Sequence, residues 1–248
     1  MSPPFCRFLL ILVVSVILCA SLNAQPERSA DAEKDSLLNY IQTKYGLDQE
    51  LYNGFQFYTH LLNYRGDPYF PEDSFYEGSV SLGGTEYDQI RLKYNGFSQD
   101  LILEYTDFQG RYNQLNLISS RIDSFRLGSY CFKKLYLQSG ESLFYQELKA
   151  GRLTCYIHWR KDINATRDDM DYSHEYSRPL GTFYLSYKEK LHSFSNRSSY
   201  QSIFPESLHS GLKRYFRQQR LSLKKASPEE IQDLLLFTMQ LTDISPDP

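Results

Sequence analysis

The chain has 248 residues, and its 27 Lys and Arg against 30 Asp and Glu give a formal net charge of −3 at pH 7. This near-neutral balance argues against a general polyanion binder, so we expect no nucleic-acid partner. Tyr and Phe are abundant, at 21 and 16 residues, against a single Trp. In a sheet protein such rings mostly cover half-buried strands, and a carbohydrate-stacking surface is the functional alternative.

The first 24 residues have the pattern of a secretory signal peptide. Arg7 precedes an almost wholly apolar run at residues 8–20, and mostly small residues follow up to Ala24. A run of this length is too short to cross a bilayer as a stable helix. Cleavage after Ala24 would leave a single β-rich domain at residues 25–248. We therefore expect an exported monomer, in the periplasm or at the cell surface.

One helix is predicted between the signal peptide and the first strands. Apolar and aromatic residues recur there at helical spacing, at Leu37, Tyr40, Ile41 and Tyr45. Gly46 is placed to end this helix in a left-handed conformation. Further along, Pro68 and Pro71 exclude a regular central strand around them.

Residues 75–160 predict a long antiparallel meander. Turn signals recur through it, at Gly83-Gly84, Asn95-Gly96, Gly110, Gly128, Ser139-Gly140 and Gly151. Residues 153–160 alternate between apolar and polar, which is typical of a strand with one packed and one wetter face. We predict a mainly β fold: a curled antiparallel meander sheet, an open or partial barrel, with an N-terminal helix and two C-terminal helices.

Side-chain parity predicts one hairpin pairing in this meander and indicates an irregularity in the hairpin before it. Tyr94 is expected opposite Leu101 across the hairpin turn between them. A two-residue turn before that strand would pair Val80 with Tyr87, which places the following apolar residues on the wrong face. A bulge or an odd-length loop near residues 85–88 would restore the register.

The last third of the chain begins with an acidic segment and ends in helices. Residues 161–179 carry five acids and few apolar side chains, which indicates an exposed loop. A strand at residues 183–187 then pairs with residues 191–195. One apolar helical stripe follows, at Leu208, Leu212, Tyr215 and Phe216. A second helix begins after Ser227, where Glu230 completes a capping box.

Two cysteines remain once the predicted signal peptide is removed, Cys131 and Cys155. The meander places them on the first and third of three consecutive strands, roughly 9–10 Å apart. A disulfide requires Cα atoms within about 7 Å of each other. We therefore predict two free thiols, with Cys155 buried among apolar neighbours.

No motif in the chain indicates catalysis, a cofactor or a metal site. The sequence lacks a nucleophile elbow, a phosphate-binding glycine loop and a dinucleotide fingerprint. His174-Glu175 stands near Asp168, Asp169 and Asp171, but this run lacks the central glycine of a calcium loop. His158 is expected to be a surface histidine on the polar face of its strand. We predict no catalytic residue, no metal ligand and no cofactor.

The most specific charged feature is a basic run in the penultimate helix. Its members are Lys213, Arg214, Arg217 and Arg220, followed by Lys224 and Lys225, with no acid between Ser207 and Ala226. These side chains would bind an anionic partner, such as lipid headgroups, lipopolysaccharide phosphates or acidic glycans. The alternative is the solvated face of an amphipathic helix. The sequence leaves both open.

Several short runs are informative when taken in order. They are Leu51-Tyr52-Asn53-Gly54, Gly66-Asp67-Pro68-Tyr69-Phe70, Tyr76-Glu77-Gly78-Ser79-Val80, Ile90-Arg91-Leu92-Lys93-Tyr94, Phe183-Tyr184-Leu185 and Ser202-Ile203-Phe204. Together with the basic helix, they resemble a family of uncharacterised exported β-rich proteins of Gram-negative bacteria. The resemblance implies a bacterial, exported, single-domain protein. Since that family has no assigned activity, it implies no catalytic residue.

These observations favour an exported, non-catalytic binding or envelope-associated accessory protein. They do not identify its ligand, and an envelope component, a glycan and a lipid are the candidates. One alternative is a periplasmic carrier of a lipid or other apolar ligand, with the helix at residues 231–241 plugging the concave face and the basic helix at its mouth. The other is a carbohydrate-active hydrolase whose carboxylates gather on the concave face.

Overall fold

A computed structural model of the chain describes residues 48–57, 64–107, 109–136, 141–166 and 173–244. The predicted signal peptide and the helix predicted before Gly46 lie outside these residues. From Gln49 onward, the described residues belong to one unit. None of the helices in the described ranges is both long enough and apolar enough to cross a bilayer.

The described part of the chain is mainly β, as the sequence predicts. Its strands are β1 (Gly54–Gln56), β2 (Tyr64–Arg65), β3 (Tyr69–Phe70), β4 (Tyr76–Leu82), β5 (Thr85–Asn95), β6 (Asp100–Thr106), β7 (Tyr112–Leu117), β8 (Ile122–Leu127), β9 (Tyr130–Tyr136), β10 (Ser142–Ala150), β11 (Leu153–Arg160), β12 (Ile163–Ala165), β13 (His174–Tyr176), β14 (Leu180–Tyr187) and β15 (Lys190–Phe194). Twelve of them form one antiparallel sheet in the order β1-β7-β6-β5-β4-β8-β9-β10-β11-β14-β15, and β3 pairs with β5. Among the described strands the two edges, β1 and β15, do not pair with each other, so the sheet is an open meander and not a closed barrel.

Contacts between aromatic rings show how strongly this sheet curls. Tyr94 on β5 is four strand spacings from β10, which would be roughly 19 Å in a flat sheet. The centroid of its ring nevertheless lies 6.2 Å from that of Phe144 on β10. Phe70 on β3 stacks on Trp159 of β11, with ring centroids 5.1 Å apart. The rings therefore meet across the inside of the curl.

The concave face carries the core of the protein. Its buried rings include Phe70, Tyr94, Phe125, Phe132, Phe144, Trp159, Phe183 and Phe194. They share one face because side chains alternate along each strand. The one polar group of Trp159 is satisfied, since its Nε1–H donates a hydrogen bond of 2.7 Å to Oε1 of buried Gln146.

The predicted pairing of Tyr94 with Leu101 is confirmed. Val80 lies opposite Tyr87, which is the pairing of a two-residue turn, and a bulge follows as expected. The register shift lies at Gln89, one residue beyond the predicted stretch. Gln89 falls between two consecutive pairs of the β4–β5 ladder and adopts a left-handed backbone with φ of 56°. This extra residue returns the apolar side chains of β5 to the concave face.

The prediction of a purely irregular loop at residues 161–179 is wrong in part. Strands β12 and β13 pair antiparallel there, and β13 pairs in parallel with β2, so a separate three-stranded sheet forms. Because β2 is distant in sequence, this pairing has no short-range signal. The acids Asp168, Asp169 and Asp171 lie outside the described residues.

Four helices complete the described unit: α1 (Gln49–Tyr52), α2 (Arg197–Gln201), α3 (Glu206–Gln218) and α4 (Pro228–Ile244). The two predicted C-terminal helices are α3 and α4. The capping box of α4 is confirmed, because the N–H of Glu230 donates to Oγ of Ser227 at 3.2 Å while the N–H of Ser227 donates to the Glu230 carboxylate at 2.8 Å. The short helix α2 was not predicted.

Helix α4 packs against β10 and β11 beside the turn that joins them. Its Gln232 side chain donates to the carbonyl oxygen of Lys149 at 2.9 Å. Ile231, Leu234 and Leu235 are buried, whereas Leu236 is 46% exposed. The helix therefore buries one stripe, and the broader apolar surface expected of a plug is only partly covered.

The prediction of two free thiols is confirmed. Cys131 on β9 is exposed, and Cys155 on β11 is buried. Strand β10 lies between them, as the meander requires. Burial raises the pKa of the Cys155 thiol, so this group stays protonated and unreactive in the folded protein.

We predict that Gly78→Ala destabilises the protein by about 2–3 kcal/mol. A methyl group at Gly78 would overlap the backbone carbonyl oxygen of Arg126 on the paired strand β8. Because the overlapped atoms belong to the backbone, no side-chain rotation can remove the clash. Urea unfolding measures the change. Gly96→Ala is the matched control, because the nearest atom to its added methyl lies 3.5 Å away. A stability loss equal to that of the control would contradict the tight approach of β4 and β8.

Candidate functional site

The predicted anion-binding residues are all exposed on the helical layer. Lys213, Arg214 and Arg217 lie on α3, and Arg220 follows its last turn. A fifth exposed cation, Arg197, comes from α2, and its guanidinium carbon lies 5.3 Å from the centroid of the Phe216 ring of α3. We call these five cations the basic surface.

The orientation of the basic surface follows from the apolar stripe of α3. Leu208, Leu212 and Phe216 are buried, which fixes the face that α3 turns inward. Because successive helical residues are 100° apart, Lys213 and Arg217 then lie one turn apart on the same outward flank. Arg197 of α2 contacts α3 through the Phe216 ring, so the helical layer carries exposed cations from two helices.

None of these five cations makes an ion pair with a described residue. Like charges at Lys213 and Arg217 destabilise a helix by about 0.2–0.5 kcal/mol. A cation in the last turn, such as Arg217, gains about 0.3–1 kcal/mol from the helix dipole. Lys213 lies before that turn, so the dipole does not account for its charge. The cluster is therefore not explained by the stability of α3 alone.

Arg220 occupies a position that favours glycine. Its backbone is left-handed, with φ of 51°, and it ends α3 where the N–H of Leu221 donates to the carbonyl oxygen of Phe216 at 3.2 Å. This is the geometry in which helices usually place glycine after their last turn. The chain thus carries a cation where a residue without a side chain would be more stable.

Sequence reasoning identified four of the five cations and missed Arg197, because it did not predict α2. The signal was present. Asn196 precedes α2, and its side chain accepts a hydrogen bond of 3.0 Å from the N–H of Ser199. In return, the Ser199 hydroxyl oxygen accepts a hydrogen bond from the N–H of Asn196. This capping box identifies a helix start even though five residues show no periodicity.

Two further cations are buried, and both hold the fold together. Nζ of Lys93 lies 2.8 Å from Oδ1 of Asp73 and 4.0 Å from the centroid of the Tyr69 ring. Nζ of Lys161 donates to Asp67 at 2.8 Å (backbone oxygen) and 3.0 Å (Oδ1). Each ammonium is neutralised by a carboxylate and is hydrogen-bonded, so these pairs fix the segment before β4 to the sheet. The two buried ammonium groups are thereby committed to structural contacts.

His158 lies on the polar face of β11 as predicted, but it is half-buried and not a surface residue. Its Nδ1 lies 3.1 Å from the carbonyl oxygen of Phe144, so in the neutral ring this nitrogen carries the proton. The rings of His158 and Tyr145 are 5.5 Å apart. Burial lowers the pKa of the His158 imidazole below its usual range.

The structure describes no group of three or more His, Cys, Asp or Glu side chains placed to hold a metal ion. The acids nearest to His174 in sequence, Asp168, Asp169 and Asp171, lie outside the described residues.

Exposed aromatic side chains are scattered over the described surface. Phe55, Phe97, Tyr112 and Tyr136 are 47–78% exposed and lie on different elements. Of these four, Tyr112 lines a pocket together with Tyr52, Phe57 and Tyr105. Only Tyr136 lines one of the polar pockets in company with a cation and several hydroxyls.

Comparisons of the chain with models of protein families, with curated proteins and with solved structures gave no match.

We predict that Arg220→Gly is more stable than Arg220→Ala by about 1 kcal/mol, because only glycine is free of strain at this left-handed position. Both variants remove the same charge. Their urea unfolding midpoints therefore isolate the backbone effect from the electrostatic one. Equal midpoints would show that the left-handed end of α3 is not formed.

The lowered pKa of His158 predicts a pH-dependent loss of stability. An unfolded histidine binds a proton near pH 6.5, whereas the folded ring resists protonation because it is buried. The unfolding free energy that neutral His158 contributes is therefore complete above pH 6.5. It falls as the pH drops from 6.5 to the lower folded pKa, because only the unfolded chain gains a proton in this range. Relative to His158→Gln, the natural chain should lose unfolding free energy below this pH. Parallel pH profiles for the two chains would contradict the prediction.

Proposed function

We propose that the protein is an exported, non-catalytic, envelope-associated protein that binds phosphate-bearing lipid headgroups through the basic surface. The observation that carries the proposal is a cluster of five exposed cations, drawn from α2, α3 and the residue after α3, with no ion-pair partner among the described residues. The signal-peptide pattern of residues 1–24 supports export.

Charge segregation supports an anionic partner. The whole chain is slightly acidic, yet the sequence has no acid between Ser207 and Ala226, where four of the five cations lie. A Lys or Arg near an anionic membrane contributes about 1 kcal/mol. Five such contacts give about 5 kcal/mol, which corresponds to a Kd on the order of 0.2 mM. The basic surface therefore provides reversible, peripheral attachment that depends on the density of anionic headgroups.

The packing of the concave face favours a binding protein over the apolar-ligand carrier. Rings from β5, β8, β9 and β10 occupy the inside of the curl, where a carrier would need space for its ligand. The hydrolase alternative requires two free carboxyl groups in one cleft. Several described carboxylates are already neutralised, namely Asp67, Asp73, Glu104 and Glu147. No observation favours either alternative.

Sedimentation with vesicles tests the proposal. The protein should bind vesicles that contain an anionic phospholipid, bind zwitterionic vesicles weakly, and dissociate as salt is raised. The double variant Lys213→Gln/Arg217→Gln removes two contacts, so its apparent affinity should fall by about thirtyfold.

Arg126→Gln/Arg178→Gln is the matched control. It removes the same charge from two exposed arginines on β8 and just before β14, away from α3. We expect its vesicle affinity to change by less than about threefold. Equal losses in the two double variants would show that binding follows net charge, and the assignment of the basic surface would be wrong.

A further inference from the structure

A polar pocket of about 440 Å³ opens at the end of the curled sheet where the β5–β6 turn, the β7–β8 connection and the β9–β10 hairpin meet. We call it the hairpin pocket. The side chains that matter for its chemistry are Asp100, Ser119, Lys134, Tyr136, Ser142 and Phe144. Its volume lies in the range of small-molecule sites, about 300–1,000 Å³.

Strand register explains why an ammonium, a hydroxyl and two rings converge there. Lys134 pairs with Phe144, and Tyr136 pairs with Ser142, across the β9–β10 ladder. Phe132 and Phe144 belong to the core. Since side chains two residues apart share a face, Lys134, Tyr136 and Ser142 are carried on the concave side beyond the last core rings. The strands themselves therefore position these groups.

The polar groups of the pocket retain hydrogen-bonding capacity. Oγ of Ser142 is buried and has no hydrogen-bond partner among the described residues. Nζ of Lys134 donates to the carbonyl oxygen of Ser119 at 2.5 Å, which uses one of its three N–H groups. The Asp100 carboxylate accepts one hydrogen bond of 2.6 Å, from Ser98. A buried hydroxyl without a partner is rare in native proteins, and an ordered water can satisfy it.

We propose that the hairpin pocket binds a saccharide. Adjacent sugar hydroxyls both donate and accept, so one can donate to the Asp100 carboxylate while its neighbour accepts from Lys134. The apolar face of a sugar ring fits an aromatic surface, and Tyr136 offers one that is 76% exposed. One cation and one anion leave the pocket near neutral, which fits a neutral sugar better than a phosphate.

The hairpin pocket is independent of the basic surface and of the proposed lipid binding. The helical layer contacts β10 at Lys149, where Gln232 of α4 donates to its carbonyl oxygen. Ser142 lies seven residues earlier on the same strand, roughly 23 Å away. Each binding activity can therefore fail while the other persists.

Titration with neutral saccharides tests the proposal, using a panel of cellobiose, maltose and N,N′-diacetylchitobiose and saturation-transfer NMR on the full chain. At least one sugar should bind with a Kd of about 1 mM or tighter. Asp100→Asn should weaken this binding about tenfold or more, since it removes a charged acceptor. Tyr136→Ala should weaken it about three- to tenfold through lost stacking.

Tyr112→Ala is the matched control, because Tyr112 is 78% exposed on β7 and does not line the pocket. It should leave sugar binding unchanged, as should Lys213→Gln/Arg217→Gln. The proposal is overturned if no sugar of the panel binds, or if binding survives Asp100→Asn and Tyr136→Ala unchanged. Ordered water alone would then account for Ser142.

Discussion

The fold depends on contact between aromatic rings across the inside of the curled sheet. In a flat sheet these rings would remain exposed on one face, and a large apolar side chain contributes about 1.5–3 kcal/mol only when it is removed from water. Curling lets Tyr94 cover Phe144 and lets Phe70 cover Trp159. The same curvature brings the β5–β6 turn against the chain after β11, where the N–H of Lys161 donates to the carbonyl oxygen of Gly96 at 2.9 Å.

This curling of the sheet determines which polar groups keep free hydrogen-bonding capacity. Near the Gly96 contact, the buried ammonium of Lys161 must be neutralised, and Asp67 does so. Strands β9 and β10 extend beyond the core rings, so Tyr136 and Ser142 lie outside the hydrophobic core of the described residues. The helices cover the sheet near the β10–β11 turn and leave the flank of α3 in solvent. The basic surface and the hairpin pocket are therefore formed by different elements of the described chain.

The parts of this structure that local rules determine were predictable from the sequence, and the parts set by distant contacts were not. The pairing of Tyr94 with Leu101 follows from parity across a short turn, and the start of α4 follows from its capping box. The pairing of β13 with β2 joins segments far apart in the chain, so no window of sequence contains it. The hairpin pocket was missed for a related reason, because its lining comes from three separate connections.

At two positions the residue does not suit its local structure, so the stability of the fold does not explain why that residue is there. Arg220 occupies a left-handed position suited to glycine, and it extends a run of cations that repel one another. The Ser142 hydroxyl on β10 is buried without a hydrogen-bond partner among the described residues. Each feature costs the folded state about 1 kcal/mol or more. Arg220 follows the end of a helix and Ser142 lies on a paired strand, so secondary structure fixes the backbone at both positions. The backbone of a flexible loop would lose conformational entropy on binding, whereas the backbone at these two positions has already lost it in folding.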